Sequence, residues 1–330
     1  MLVLGGTRFT GPPLVRRLVA DGHDVTVFHR GLTEPELPPT VRHVHGDLDR
    51  FRECVGELRG LAPEIVVDSV AFRREDGRRV LAFKDVARRA VVLSSADVYR
   101  AFGRLHRSEP GPPDPVPLTE ESPLRTRPLS LDYDKTGVEA EARADPDFAV
   151  TVLRLPAIHG PGDEAHRLFP YVKRMDDGRP AILLDECVAG WRWVRGYVED
   201  VALAIALAVG DERAAGRTYN VADATAYSER EWVGRIARAT GWAGEILAAP
   251  GELLPEALRK SRFDTRQDYV VDSSRIRREL DYREVVAEDE ALRRTIEWER
   301  ANPPETEAGE FDYTAEDTAL AAVRAKRAAV

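Results

Sequence analysis

The sequence predicts an α/β protein: a doubly wound parallel sheet carrying a smaller, mixed α/β lobe at its C-terminal end. Three observations predict it. Short apolar runs alternate with helix-like stretches over the first 156 residues, the rhythm of a parallel sheet covered on both faces. The opening stretch "MLVLGGTRFTG" is a short buried strand that runs into a glycine-rich turn. Finally, 330 residues exceed what one small core organises, which leaves room for a second lobe and a cleft.

Taken in order, residues 1–4 make the first strand. "PPLVRRLVADG" follows, with Leu14, Val15, Leu18 and Val19 at helical spacing and Gly22 as the stop. "HDVTVFHRG" brings Val25, Val27 and Phe28 as a second strand and closes a βαβ unit. Further strands are expected at "VRHVHGD", "PEIVVDSVAF", "RAVVLSSADVY" and "FAVTVLRLPAI". Prolines crowd residues 108–128, "SEPGPPDPVPLTEESPLRTRP", which excludes a helix or a central strand and predicts a long surface loop. Beyond residue 156 the pattern is irregular, with helices expected at 199–210, 228–241 and 287–300 and a Pro/Gly break near 250. From Asn302 the tail reads as a loosely attached helix or a frayed end. The division expected is 1–156 for the sheet domain, with the chain returning to it around 187–222, and 157–330 mainly for the lobe and tail.

Composition narrows the function. With 43% hydrophobic and 32% charged residues and no apolar run near the ~20 residues a bilayer span requires, no membrane partner is expected. Residues 1–4 pass straight into glycines without a basic start or a cleavage site, so a cytoplasmic location is expected. Cys54 and Cys187 are too few for a disulfide framework or a thiolate cage. A net charge of −9 works against a phosphate-backbone partner, so no nucleic acid is expected. Asp163 and Glu164 stand at no ligand spacing from a histidine, and no metal site is expected.

The glycine turn points to a nucleotide. A dinucleotide's pyrophosphate needs backbone amides close by and a helix N-terminus aimed at it, and Gly5, Gly6 and Gly11, with Thr7 and Phe9 between them, supply such a turn. Arg8 stands where a further glycine would fall; its guanidinium could fork onto a phosphate or lie outward in solvent. An acid at the end of the second strand would bond the ribose hydroxyls of NAD, whereas a base accommodates the 2′-phosphate of NADP. This chain has His29 and Arg30 and no acid, so NADP is preferred over NAD. Asp47 and Leu48, in "HGDL", could bracket the adenine, with a helix cap as the alternative for Asp47.

These residues resemble the extended short-chain dehydrogenase/reductases, the NAD-dependent epimerase/dehydratase group built on a Rossmann sheet. The resemblance runs from "GGTRFTG" through "GDL", "SSADVY", "PLTEESPL", "KTGVE", "LRLPAIHGPGD", "GYVEDVA" and "TYNVAD" to "SSRIRRELDY". The "GGTRF" spelling is similar to an atypical subgroup that includes sugar epimerases, reductases and chloroplast RNA-binding proteins. The resemblance implies hydride transfer with a sugar or sugar-like small molecule as substrate, and a homodimer. It also adds Ser69, Val70, Ala71 and Ser94 to the cofactor-binding set, and Pro156 and Ile158 beside the carboxamide of the nicotinamide.

In that family a Ser or Thr, a Tyr and a Lys do the chemistry. By resemblance Ser95 is the serine that bonds the reacting oxygen, because Val98 and Tyr99 follow it at the family spacing. Lys135 is the lysine that holds the cofactor ribose, followed by Glu139 and Glu141. The family tyrosine belongs four residues before the lysine, and this chain has Leu131 there. Three readings stay open. Tyr133 could substitute if residues 130–134 are not yet helical, with Asp132 as the N-cap; within a regular helix a two-residue offset would point it about 200° away from Lys135. Alternatively Tyr99, His159 or a substrate group moves the proton. The last reading is a cofactor-binding but non-redox scaffold or RNA-associated protein of the same fold. For the substrate, the resemblance singles out Tyr99, His159, Trp193 and Arg195. Trp193 stands where the family's diphosphate-gripping arginine is expected, and Arg192 and Arg195 flank it. Asp200 and Asn220 read as structural.

Overall fold

The computed structural model of the chain describes residues 1–260, 262–306 and 310–328. Its strands are β1 (Leu2–Leu4), β2 (Thr26–His29), β3 (Arg42–His45), β4 (Ile65–Asp68), β5 (Arg89–Ser95), β6 (Ala149–Leu155), β7 (Ala157–His159), β8 (Ala181–Asp185), β9 (Arg195–Tyr197), β10 (Thr218–Asn220) and β11 (Glu245–Ala249). Its helices are α1 (Gly11–Ala20), α2 (Phe51–Gly60), α3 (Arg100–Leu105), α4 (Lys135–Ala142), α5 (Phe169–Asp176), α6 (Glu186–Ala189), α7 (Val198–Gly210), α8 (Glu229–Thr240), α9 (Ser274–Glu279), α10 (Glu288–Ala301) and α11 (Tyr313–Ala328).

Seven strands form one parallel sheet in the order β10-β6-β5-β4-β1-β2-β3, the doubly wound arrangement the sequence predicts. Strand residues alternate between its two faces because side chains on a strand alternate. Val3, Val27, Val67, Val91 and Leu153 face α1 and α7, where Leu14, Val15, Leu18, Val201 and Ile205 cover them. Leu2, Leu4, Val66, Val92 and Val152 face the other way, under Leu58 of α2, Val80 and Phe83 of a 3-10 segment, and Val138 of α4. After β6 the chain leaves the sheet and returns through β9, which pairs with β7, then α7, then β10 beside β6.

The remaining elements build the lobe. Parallel β8 and β11 carry α5, α8 and α10, packed through Val172, Leu184, Trp232, Ile236, Leu292 and Ile296. Two expectations are corrected. The tail is not loosely attached: α11 buries Ala319, Leu320 and Val323 against Leu183 and Leu247, and its buried Glu316 pairs with Arg174 at 2.6 Å. Burial of apolar surface plus a paired charge outweighs the weak helical signal of the tail. Nor is the proline-rich stretch a simple surface loop. Leu118 is buried and bridges to Val271, and Arg125 is buried with its Nε donating to the Asp97 carbonyl at 2.5 Å.

One buried network ties α4 to the sheet behind the cleft. Glu139 accepts from Arg154 Nε at 3.0 Å and Nη2 at 2.7 Å, and from the Ser94 hydroxyl at 2.6 Å. Arg154 Nη1 also donates to the Tyr99 hydroxyl at 3.0 Å, which in turn donates to Asn220 at 2.6 Å. Removing one partner strands a buried charge, the costly way to break such a pair. Glu139→Ala should therefore lose about 3–5 kcal/mol in urea unfolding, and Glu139→Leu with Arg154→Met should recover most of it. A loss below about 1 kcal/mol, the range of exposed pairs, would show that water reaches this network.

Candidate active site

The turn between β1 and α1 is shaped by steric limits. Gly5 and Gly6 have φ of +91° and +88°, and a Cβ on Gly11 would stand 2.3 Å from the Gly6 carbonyl carbon. Glycines are what allow the helix to sit this close to the turn. Phe9, at φ 43°, holds a left-handed conformation in the same turn. A cleft of about 730 Å³ opens above it. Gly5, Gly6, Thr7, Arg8 and Phe9 line its floor, and Arg30, Asp47, Leu48, Ser69 and Val70 its walls. These ten residues, all expected at the cofactor, thus surround one space, and His29 lines it as well. Gly11 serves it from behind, through close packing rather than contact.

This cleft fits a dinucleotide on two counts: it has the volume of an extended ligand site, and a side chain on Gly5 would meet the Ser69 hydroxyl at 2.5 Å and fill the cradle. Ser69 donates to the Leu4 carbonyl at 2.8 Å, which fixes that wall. Asp47 meets both of its readings, since it lines the cleft and also accepts from the Asp49 amide at 3.0 Å as a 3-10 cap. Arg8 pairs with Glu164 at 3.2 Å, with both side chains exposed. Ala71 is buried and contributes its carbonyl alone, to Lys135.

The second cluster lies where β5 ends and α4 begins. Asp134, not Asp132, caps α4: its Oδ1 accepts from the Gly137 amide at 2.9 Å, so the first helical residue is Lys135. Asp132 instead lines the cleft. Tyr133 therefore precedes the helix, in a bridge with Ser130, and the helical offset that would point it away does not apply. Its phenol donates to Asp97 Oδ2 at 2.7 Å, and close to it the Ser95 hydroxyl oxygen accepts from the Asp97 amide at 3.3 Å. Burial, reinforced by the Asp97 carboxylate, raises this phenol's pKa well above its ordinary value, so it stays protonated. Lys135 Nζ donates to the carbonyls of Ala71 at 2.6 Å and Leu93 at 3.0 Å, and lies 4.5 Å from the Phe72 ring centroid and 6.0 Å from that of Tyr133. Burial draws its pKa down to about 8. Leu131, at the family tyrosine position, is 93% exposed.

Several expected site residues are placed elsewhere. Ser94 is buried and its hydroxyl is taken by Glu139. Tyr99 is fully buried between Arg154 and Asn220, with no face toward the cleft. His159 is buried against Trp232 and Tyr197 beside Thr295, and burial drives its pKa down to about 3, so it is neutral and not available as an imidazolium acid. Ile158 packs into the sheet core, and Pro156 is half-buried; neither lines the cleft. Arg195 is buried, paired with Glu229 at 2.5 Å and stacked on Trp232, which consumes its charge. Trp193 leans on Trp191, with ring centroids 5.4 Å apart, in the wall of a separate 400 Å³ cavity in the lobe.

Sequence reasoning missed Asp97 and Phe72, and gave Asp132 the role of a helix cap rather than a place in the cleft. Asp97 stood in the quoted "SSADVY", but its partner lies 36 residues away and nothing local marks it. Phe72 ends the "DSVAF" run, in which the resemblance marks Ser69, Val70 and Ala71 but not the phenylalanine.

Comparison with known proteins agrees with this geometry. The NAD dependent epimerase/dehydratase family matches residues 1–222. The chain is 28% identical over 284 residues to the 2′-dehydrokanamycin reductase of Streptomyces kanamyceticus, covering 82% of this chain and 76% of the relative. It is 26% identical over 234 residues to the chloroplast stem-loop binding protein of 41 kDa b of Arabidopsis thaliana, covering 67% of this chain and 58% of that protein. In fold it matches the Bordetella bronchiseptica enzyme WbmG solved with NAD, at a TM-score of 0.69 and 19% identity, over 91% of this chain and 94% of that one. The glycine cradle, the seven-stranded parallel sheet and this match over two thirds of its length place the chain in the NAD dependent epimerase/dehydratase family.

Proposed function

We propose that the protein is an NADP-preferring oxidoreductase of the cytoplasm, able to use NAD, that reduces a carbonyl of a sugar or sugar-like small molecule to a carbinol and acts as a homodimer. The observation that carries the reading is the Tyr133 phenol, protonated and hydrogen-bonded beside Ser95, next to a lysine buried at the start of α4. When bound, the nicotinamide supplies the hydride. Everything else falls to side chains of the chain. Ser95 donates a hydrogen bond to the reacting oxygen, and Tyr133 gives that oxygen its proton, the direction favoured by a phenol held in its protonated form. Asp97 aims the phenol. Lys135 would hold the cofactor ribose, and the Phe72 ring lies against its ammonium on one side. At the other end Arg30 would hold the 2′-phosphate, and Arg8, whose side chain has a weak, exposed contact with Glu164, would be available to a pyrophosphate oxygen.

The reductase named among the relatives supports the direction. An RNA-associated role rests on the likeness to the stem-loop binding protein alone, and a net charge of −9 opposes it.

Three outcomes test the reading. Tyr133→Phe should lower kcat/KM about 10²–10⁴-fold, the share a positioned acid usually supplies, with cofactor affinity unchanged; undiminished turnover removes Tyr133 from the mechanism. Arg30→Ala should weaken NADP binding about tenfold or more by calorimetry and leave NAD binding as it was; an equal loss for both would mean that Arg30 does not read the 2′-phosphate. Because the Lys135 ammonium is charged below about 8 and neutral above it, affinity for the dinucleotide should be full below that pH and decline as pH rises through it. Lys135→Met should flatten this profile, and a wild-type profile that stays flat past pH 9 (about one unit beyond the midpoint) would contradict the ribose role.

A further inference from the structure

We propose that His29, His43 and His45 form a binding site for a borderline transition-metal dication such as Zn²⁺, supported by Glu34, on the edge of the sheet beside the cleft. No residue of this group takes part in the proton chemistry above.

Strand geometry brings the three rings together. β3 is the edge strand, and residues two apart on a strand share a face, so His43 and His45 point the same way. The parallel register sets His45 opposite His29 and His43 opposite Val27, which puts all three imidazoles on one face of the β2–β3 pair. One ring nitrogen from each lies within 4.8 Å of the others. His29 Nε2 and His43 Nδ1 are 2.9 Å apart. Two nitrogens on a tetrahedral zinc stand about 3.3 Å apart, as Zn–N bonds of about 2.0–2.1 Å require. Small side-chain rotations therefore convert the present cluster into a ligand set.

The surroundings favour ligation as well. His45 Nε2 stands 3.0 Å from Glu34 Oε1, so a proton on Nε2 would face the kind of carboxylate that commonly supports metal-bound histidines, with Nδ1 as the ligand atom. One local change is needed. The Gly31 amide now donates to His29 Nδ1 at 3.1 Å, and it must turn aside so that this nitrogen carries the proton while Nε2 takes the ion. Gly31, at φ +71° in the exposed turn after β2, is the residue type that makes such a rotation cheaply. Three imidazoles with an open fourth position suit Zn²⁺, Co²⁺ or Ni²⁺ rather than an oxygen-seeking cation.

The test uses the full-length chain without a histidine tag, stripped with EDTA and dialysed. Zn²⁺ calorimetry should show one saturable site per chain, and Co²⁺ should give visible absorption that Zn²⁺ abolishes. His45→Gln and His43→Gln should each lose the site, Glu34→Gln should weaken it about tenfold as loss of carboxylate support does, and His23→Gln should leave it intact. His45 and Glu34 are both more than half exposed, at 55% and 56%, so these two variants keep the fold and carry the test even if His43→Gln does not. Absence of saturable Zn²⁺ binding, or binding that survives His45→Gln, would overturn the proposal.

Discussion

The geometry of the candidate site depends on where one helix begins. Asp134 accepts the Gly137 amide and so fixes Lys135 as the first residue of α4. Had the helix started a turn earlier, Leu131 would sit one turn behind the lysine on the same face and Tyr133 would point away from it. With the start at Lys135, Leu131 lies in solvent and the phenol reaches Asp97. An N-cap of this kind is commonly worth about 1 kcal/mol, yet here it also decides which side chain turns toward Asp97.

Charge placement around that start is economical. Lys135 is almost fully buried, with two carbonyls and the Phe72 ring as its immediate company rather than a carboxylate. Carbonyls stabilise an ammonium without locking it into an ion pair, so burial shifts its pKa toward neutrality. One turn on, Glu139 faces inward and clamps Arg154. The helix thus carries a poised cation at its first residue and a satisfied anion at its fifth. Asp68, at the end of β4, adds a buried carboxyl whose Oδ2 has no hydrogen-bond partner and whose pKa burial lifts to about 6. It stands among the charges that act on Lys135 and offsets part of that lysine's desolvation.

What the sequence made legible was what is local. Strand periodicity and the positions of Gly5, Gly6 and Gly11 carry the sheet and the turn, because each of those signals lies within a few residues of its consequence; Ser69 and Val70 came only from the family resemblance. The direction of Tyr133 was not legible: Asp132 and Asp134 are both competent caps, and only tertiary packing of α4 against β5 and the 3-10 segment chooses between them. Tyr99 and His159 misled for the opposite reason. Their chemistry is suitable, but contacts with Asn220, Arg154, Thr295 and Trp232, all distant in sequence, bury them. The histidine trio needed the register of β2 against β3 before its three rings could be seen as one group. The docked tail needed Arg174 for the same reason.

The central claim is that a tyrosine outside the helix stands in for the family tyrosine. A crystal structure of the protein with NADP and a ketone-bearing substrate analogue tests it most directly. The account predicts the Tyr133 and Ser95 hydroxyls both within hydrogen-bond distance of the analogue's carbonyl oxygen, with Lys135 on the ribose of the nicotinamide. A ligand whose carbonyl is met by another acid while Tyr133 remains closed on Asp97 would contradict it.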